Sequence, residues 1–115
     1  MGKKTEVLST GAEVVRGLPD RFQPQAAAGY SGIIQYDLSG EGGGQFTVTI
    51  DKGSCKVESG LLGQPSILFQ SSAETFSDIE WGRTRPELAF LTGKIKVSNP
   101  QEMLRYVKFF SKLQR

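Results

Sequence analysis

The stretch "LSGEGGGQFTVTI", residues 38–50, decides the fold because it joins a glycine-rich run to a strictly alternating segment. A phosphate-binding glycine loop leads into a helix, whose first backbone amides hold the anion. Here the glycines lead into a segment in which Phe46, Val48 and Ile50 alternate with polar residues, the period of a half-buried strand. A Gly-Lys-Ser/Thr ending is also missing. The stretch therefore predicts a β-hairpin and not a nucleotide site.

Short alternating segments on both sides of this stretch predict the other strands. Residues 32–38 "GIIQYDL" precede it, and residues 55–59 "CKVES" follow it after the tight turn "DKGS" at residues 51–54. Such short connections require antiparallel pairing. Residues 66–70 "SILFQ" and residues 94–97 "KIKV" alternate in the same way. The sequence thus predicts five strands that form a sheet with one apolar face.

Capping signals predict helices before the first strand. Thr10 and Glu13 have the spacing of a capping box, and the helix that they start is expected to stop before Pro19. Val14, Val15 and Leu18 lie on one side of that helix. Residues 23–30, "QPQAAAGY", have proline at their start and glycine near their end, which indicates one or two further helical turns.

The segment after the fourth strand predicts two more helices. Ser71 and Glu74 have capping-box spacing, and Gly82 lies where that helix would end. Pro86 and Gly93 bound a second, shorter helix in the same manner. Both helices precede the short strand at residues 94–97.

The last segment, "NPQEMLRYVKFFSKLQR" at residues 99–115, predicts a long amphipathic helix with Asn99 as its N-cap. Met103, Val107 and Phe110 would share its apolar face. A basic stripe would lie opposite, formed by Arg105, Lys108, Lys112 and Arg115. This stripe has two interpretations: contact with an anionic membrane surface, or a solvated face whose cations suit a helix C-terminus.

The predicted element order is α-β-β-β-β-α-α-β-α. Since one sheet face is apolar, the helices are expected to cover it, which gives an α+β fold of two layers. The 115 residues suit a single domain, residues 1–115.

Composition excludes several classes of function. The chain has no histidine and one cysteine, Cys55, which removes histidine-dependent catalysis, cysteine metal clusters and internal disulfides. A net charge of +2 does not point to nucleic acid. No apolar run approaches ~18 residues, and the N-terminus lacks a signal-peptide core. We expect a cytoplasmic protein that is not an enzyme and that binds no metal or cofactor.

Two blocks of residues resemble the sterol carrier protein family. Residues 18–46, "LPDRFQPQAAAGYSGIIQYDLSGEGGGQF", are similar to the family's N-terminal half. Residues 71–97 resemble its more specific half, with Ser72-Ala73-Glu74 and Phe76, then Gly82-Arg83, Ala89-Phe90 and the run from Gly93 to Val97. The resemblance covers about residues 12–113. Ser98-Asn99-Pro100 depart from the Gly-Asp or Gly-Asn turn of many members.

The resemblance implies a five-stranded, mainly antiparallel sheet with helices covering one face. It implies a hydrophobic tunnel between sheet and helices that takes sterols, fatty acids, fatty acyl-CoAs or phospholipids, without a catalytic residue or a metal. Many eukaryotic members end in the peroxisomal signal Ser-Lys-Leu. Here those residues are Ser111 to Leu113, and two more follow, so we interpret them as helix sequence.

The inward apolar residues have two interpretations, a filled core or the wall of a ligand cavity. Trp81 is similarly a core anchor or a gate. Arg16 and Arg21 are candidates to hold a carboxylate or a CoA phosphate. The cavity candidates are Leu18, Phe22, Ile34, Tyr36, Phe46, Val48, Ile67, Phe69, Phe76, Ile79, Trp81, Phe90, Met103, Val107 and Phe110.

Together these features predict a monomeric, non-enzymatic carrier of hydrophobic ligands. Its partners would be the lipid or acyl-CoA and, transiently, an anionic membrane met by the C-terminal helix. The alternative is an interaction module that presents a lipid substrate to a partner enzyme.

Overall fold

The computed structural model describes residues 10–113 and contains one five-stranded sheet. Its order is β3-β2-β1-β4-β5, and every neighbouring pair is antiparallel except β1 and β4, which run parallel. The expected fold class, an α+β protein with a mainly antiparallel sheet, is confirmed. The strands are β1 (Gly32–Ser39), β2 (Gly44–Asp51), β3 (Ser54–Ser59), β4 (Ile67–Ser72) and β5 (Ile95–Val97).

The glycine-rich run connects β1 to β2 in a hairpin, as predicted. Gly40 and Gly42 have φ values of 84° and 77°, a region that glycine adopts without strain. A side chain at Gly43 would collide with the backbone of Leu38. The carbonyl oxygen of Gly42 also accepts a hydrogen bond from the amide of Ala12 at 2.8 Å, so the hairpin anchors the first helix.

Short helices pack on the apolar face of the sheet and near its edges. The first helix lies against the third and against β1 and β2, the second lies against β3, and the fourth lies against β5. Residues 24–29 form turns, closed by bonds such as that from the Tyr30 amide to the Ala27 carbonyl at 2.9 Å. The helices are α1 (Gly11–Arg16), α2 (Leu18–Arg21), α3 (Ala73–Glu80), α4 (Pro86–Leu91) and α5 (Pro100–Tyr106).

One of the two predicted helix boundaries is confirmed and the other is wrong by one residue. The Thr10–Glu13 capping box is present, and α1 ends at Arg16, before Pro19, as predicted. Pro19 lies in the first turn of the separate helix α2, where its missing amide costs no hydrogen bond. Helix α3 is capped by Ser72, whose hydroxyl accepts from the Thr75 amide at 3.0 Å, and not by Ser71. Ser71 pairs with β5 in the sheet.

The last helix is much shorter than predicted. It ends at Tyr106, and a 3₁₀ turn, Val107–Phe109, follows. Phe110 is extended and pairs with Phe22, because the 109–111 backbone bonds to Arg21 at the end of α2 and to Gln23 beyond it. The basic stripe therefore does not form on one helix: Arg105 is helical, Lys108 lies in the 3₁₀ turn and Lys112 lies beyond it. Arg115 is outside the described residues.

A loop covers part of the sheet face opposite the helices, which alternation alone does not predict. The Thr47 hydroxyl donates to the Gly60 carbonyl at 2.7 Å and accepts from the Leu62 amide at 2.8 Å. The Gln35 side-chain amide donates to the Leu62 carbonyl at 3.0 Å. Thr47 and Gln35 are consequently buried although they lie on the polar face.

Candidate functional site

A groove opens between the helical layer and the β3 side of the sheet. It has a volume of about 270 Å³ and is lined by Arg16, Pro19, Phe46, Val57 and Ser59. Phe46 is a buried core residue and Val57 is half-buried, so the floor of the groove is the edge of the core. The groove thus lies against the margin of the apolar interior between the two layers.

Arg16 lies at this groove with an exposed side chain. Its guanidinium carbon is 5.1 Å from the centroid of the Phe46 ring, a cation–π arrangement that holds the cation over the apolar floor. Arg16, one of the two predicted headgroup residues, therefore lies where an anion could meet an apolar chain.

A second groove, of about 240 Å³, lies near the start of α1 and along α3. Its lining includes Glu41, Glu74, Asp78 and Arg83. Arg83 is paired with Asp78 at 2.9 Å. This groove is acidic and contains none of the predicted cavity residues.

Most predicted cavity residues lie in the core or at its margin. Half-buried positions are occupied by Phe22, Ile79, Trp81, Met103 and Phe110. Buried positions are occupied by Leu18, Ile34, Tyr36, Phe46, Val48, Ile67, Phe69 and Phe76.

Two cavity candidates are not in the core. Val107 is 46% exposed, so the prediction that it faces inward is wrong. The shortened helix is the reason, since the 3₁₀ turn rotates Phe109 into the core in place of Val107. Phe90 is 45% exposed because α4 anchors through the buried Ala89.

Aromatic rings fill the centre of the layer interface. Tyr36, Phe69 and Phe76 pack with centroid distances of 5.1–5.5 Å. Tyr106 packs on Phe110 at 5.1 Å, and Phe110 packs on Phe22 at 5.6 Å. Strand β1, helix α3 and the C-terminal segment thus meet around one aromatic cluster.

Polar groups are embedded beside this cluster. The hydroxyls of Tyr36 and Tyr106 are hydrogen-bonded at 3.1 Å, and burial raises the pKa of both. Arg21 Nη1 lies 3.0 Å from Glu80 Oε1, with both side chains largely shielded from solvent. Burial raises the pKa of Glu80, and the nearby Arg21 charge opposes that shift. Arg21, the other predicted headgroup residue, is therefore already paired.

Arg21 also holds the C-terminal segment in place. Its Nε donates to the Ser111 carbonyl at 2.9 Å, and its own carbonyl accepts from the Ser111 amide at 2.9 Å. The Gln23 amide donates to the Phe109 carbonyl at 2.7 Å. A few hydrogen bonds at α2 thus fix residues 109–111 over the aromatic cluster.

The sequence interpretation missed both Glu80 and Phe109. Phe76 and Glu80 are separated by four residues, so they share a helix face, and this spacing could have placed Glu80 near the core. No such spacing predicts that Phe109 is buried, because its burial depends on α5 ending at Tyr106.

The described part of the chain gives little support for a reactive cysteine, a metal site or a membrane-spanning helix. Cys55 is half-buried, and burial raises the pKa of its thiol to about 11, which disfavours the reactive thiolate. Residues 10–113 contain no group of His, Cys, Asp and Glu side chains that could hold a metal. Within the same residues, no helix is long and apolar enough to cross a membrane.

Comparisons with known proteins give both small and large relatives. The structure of sterol carrier protein 2 like 2 from Aedes aegypti is similar at a TM-score of 0.67 and 20% identity, covering 92% of this chain and 99% of that one. A palmitated form of the same protein gives a TM-score of 0.66 at 19% identity, covering 90% of this chain and 96% of that one.

Two relatives are much longer. Rat hydroxysteroid dehydrogenase-like protein 2 is 27% identical over 89 residues, which are 74% of this chain and 16% of that protein. The sec-alkylsulfatase Pisa1 from Pseudomonas sp. has a TM-score of 0.73 at 13% identity, over 84% of this chain and 16% of that one. The chain thus spans about a sixth of the length of these relatives.

The family comparison covers most of the chain. Residues 15–110 match the SCP-2 sterol transfer family, close to the predicted range. The structural neighbours have the same fold, and the resemblance to sterol carrier proteins is confirmed. The match supports lipid binding and transfer in general. The chain therefore belongs to the SCP-2 sterol transfer family.

Proposed function

We propose that this chain is a monomeric, non-enzymatic carrier that binds the apolar tail of a lipid between its sheet and its helices. The observation that carries the proposal is the groove at Arg16, whose floor is formed by the core residue Phe46 and the half-buried Val57. An apolar tail that enters there leaves water for the layer interface. Each buried methylene then contributes about 0.8 kcal/mol, with few directional contacts and loose selectivity.

The groove must enlarge to take a whole acyl chain. Its volume of about 270 Å³ is smaller than the roughly 300–1,000 Å³ of common small-molecule sites. The segment at residues 109–111 covers the interface through a small number of hydrogen bonds around Arg21. Displacement of this segment would uncover the aromatic cluster, and ligand uptake would depend on that motion.

The proposed ligands have an apolar chain and an anionic or small polar head, as in fatty acids and fatty acyl-CoAs. Arg16 is exposed at the mouth of the groove and would pair with the carboxylate or phosphate. The palmitated structural neighbour supports a fatty acyl chain as the cargo class. Sterols and phospholipids are the remaining candidates.

Native mass spectrometry of the protein as purified, followed by titration with palmitate, tests this function. We expect added mass of a fatty acid or phospholipid that is lost on denaturation. Val57→Phe places a ring in the groove and should abolish loading. Lys56→Phe is the matched control, since Lys56 is exposed on the same strand and points to the other sheet face. Bare protein that also refuses palmitate and palmitoyl-CoA would overturn the proposal.

A second candidate function is presentation of lipid substrates to an enzyme. The two long relatives favour it, because the matching segment is a small part of proteins named as a dehydrogenase-like protein and a sulfatase. In that role the core would stay filled, and an exposed surface would contact the enzyme. A folded chain that never loads lipid would shift the assignment to this candidate.

A further inference from the structure

Helix α4 presents apolar side chains to solvent. Leu88 is 50% exposed, Phe90 is 45% exposed and Leu91 is 79% exposed, whereas Ala89 between them is buried. Since Ala89 packs against the protein, its three apolar neighbours point away from the core. Of the large apolar residues exposed in the described part of the chain, three of seven lie within these four positions.

Local contacts define both ends of α4. Pro86 starts the helix, and Gly93 ends it with a φ of 80°. The Lys94 amide donates to the Ala89 carbonyl at 2.8 Å, and the Thr92 hydroxyl donates to the Leu88 carbonyl at 2.8 Å. These contacts fix both ends of the helix that carries the exposed side chains.

Cations stand at both ends of α4. Arg85 is the N-cap residue and Lys94 follows the C-terminus, and both are exposed. Among residues 10–113, neither takes part in an ion pair, whereas Arg83 pairs with Asp78. Glu87 is the single acidic residue of the helix. The surface thus combines protruding apolar side chains with free positive charge.

We propose that α4 is the surface by which this protein docks on an anionic lipid bilayer, with Leu88, Phe90 and Leu91 entering the interface and Arg85 and Lys94 pairing with headgroups. Protruding apolar residues flanked by cations suit the boundary between headgroups and acyl chains. Neither groove described above is lined by a residue of α4, so this surface is distinct from both.

The C-terminal segment is the weaker candidate for membrane contact. Only two large apolar side chains, Leu104 and Val107, are exposed there, against three on α4. Lys108 and Lys112 are exposed in this segment, whereas Arg105 is engaged by Glu102 at 3.5 Å and lies over the Tyr30 ring at 5.3 Å. The segment therefore matches α4 in charge but offers less apolar surface to a bilayer. The docking proposal rests on the proposed carrier function in one respect only, which is that a lipid carrier has to reach a membrane.

Vesicle flotation tests the proposal with phosphatidylcholine vesicles that contain or lack phosphatidylserine. The wild-type chain should bind the anionic vesicles, and salt should weaken binding. Leu88→Ser together with Leu91→Ser should lower the affinity about tenfold or more, because two apolar side chains no longer enter the bilayer. Lys94→Glu should also weaken binding, and Glu87→Gln should strengthen it.

The matched control is Leu61→Ser with Leu62→Ser, which removes two exposed leucines from the loop on the other sheet face and should leave binding unchanged. Circular dichroism verifies folding, and palmitate loading is measured separately, so that a failed cargo function is distinguishable from failed docking. Three results would each overturn the proposal. The folded α4 variants could bind vesicles as well as the wild type does, Leu104→Ser could lose binding instead, or the wild type could fail to bind vesicles.

Discussion

The side-chain hydroxyls of Tyr36 and Tyr106 are hydrogen-bonded to each other at 3.1 Å, which joins the central strand β1 to helix α5 inside the core. Both side chains are buried, and desolvation raises the pKa of both hydroxyls, so the pair is neutral at physiological pH. The bond links the sheet to the segment that covers it.

Removal of one hydroxyl leaves the other buried without this partner. We expect Tyr36→Phe and Tyr106→Phe each to lower the free energy of unfolding by about 1–3 kcal/mol. The double variant should lose less than the sum, because it leaves no unpaired hydroxyl. Urea denaturation of the four proteins measures this coupling, and strictly additive losses would contradict it.

The charge on Glu80 should make stability depend on pH. Burial raises the pKa of this carboxyl above its ordinary value of 4.5, so the folded state binds its proton more tightly than the unfolded state. The contribution of Glu80 to stability is then full below pH 4.5 and is lost as the pH rises through the raised pKa. Glu80→Gln, which imitates the protonated group, should match the wild type at acidic pH and exceed its stability at about pH 7.

Thermal unfolding across that range tests this sign. Glu74→Gln, the same substitution at an exposed position on the same helix, is the control. A Glu80→Gln variant that is less stable than the wild type at neutral pH would show that attraction to Arg21 outweighs burial.

Arg21 should control how often the C-terminal segment opens. Arg21→Gln removes the bond from Nε to the Ser111 carbonyl and the ion pair with Glu80. Because a charge-assisted hydrogen bond is worth about 1.5–3 kcal/mol, amide exchange at Ser111 and Gln23 should accelerate about tenfold to a hundredfold, as measured by hydrogen-exchange NMR.

Adding Glu80→Gln to Arg21→Gln separates loss of the hydrogen bond to Ser111 from the effect of an unpaired carboxylate. Arg83→Gln is the matched control, since its ion pair with Asp78 lies on the surface. Unchanged exchange at Ser111 and Gln23 in the Arg21 variant would mean that packing of Phe110 alone holds the segment.

Arg16 should distinguish charged from neutral ligands. Arg16→Gln is expected to weaken palmitate binding several-fold and to leave hexadecanol binding unchanged, because only the acid carries a charge for the guanidinium. Competition with a fluorescent fatty acid measures both affinities. Lys56→Gln removes one cation from the other sheet face and serves as the control. An equal loss for acid and alcohol would assign Arg16 a packing role over Phe46.

The sequence by itself determined the elements whose signals are local. These signals depend on backbone hydrogen bonds and conformational limits within a few residues. Examples are the alternation over residues 45–51, the Thr10–Glu13 capping box, and the proline and glycine around α4. For that reason the five strands, the hairpin and the inward face of β2 follow from the order of the residues alone, and the family resemblance extended them to the whole fold.

Only the tertiary structure decided what distant segments do to one another. Contacts between distant parts of the chain set three features of the fold. These are the parallel pairing of β1 with β4, the loop hydrogen bonds that bury Thr47, and the end of α5 at Tyr106. Tyr36 and Tyr106 are 70 positions apart, and Arg21 and Ser111 are 90 apart. No local period encodes such pairs, because packing and burial of the assembled layers determine them.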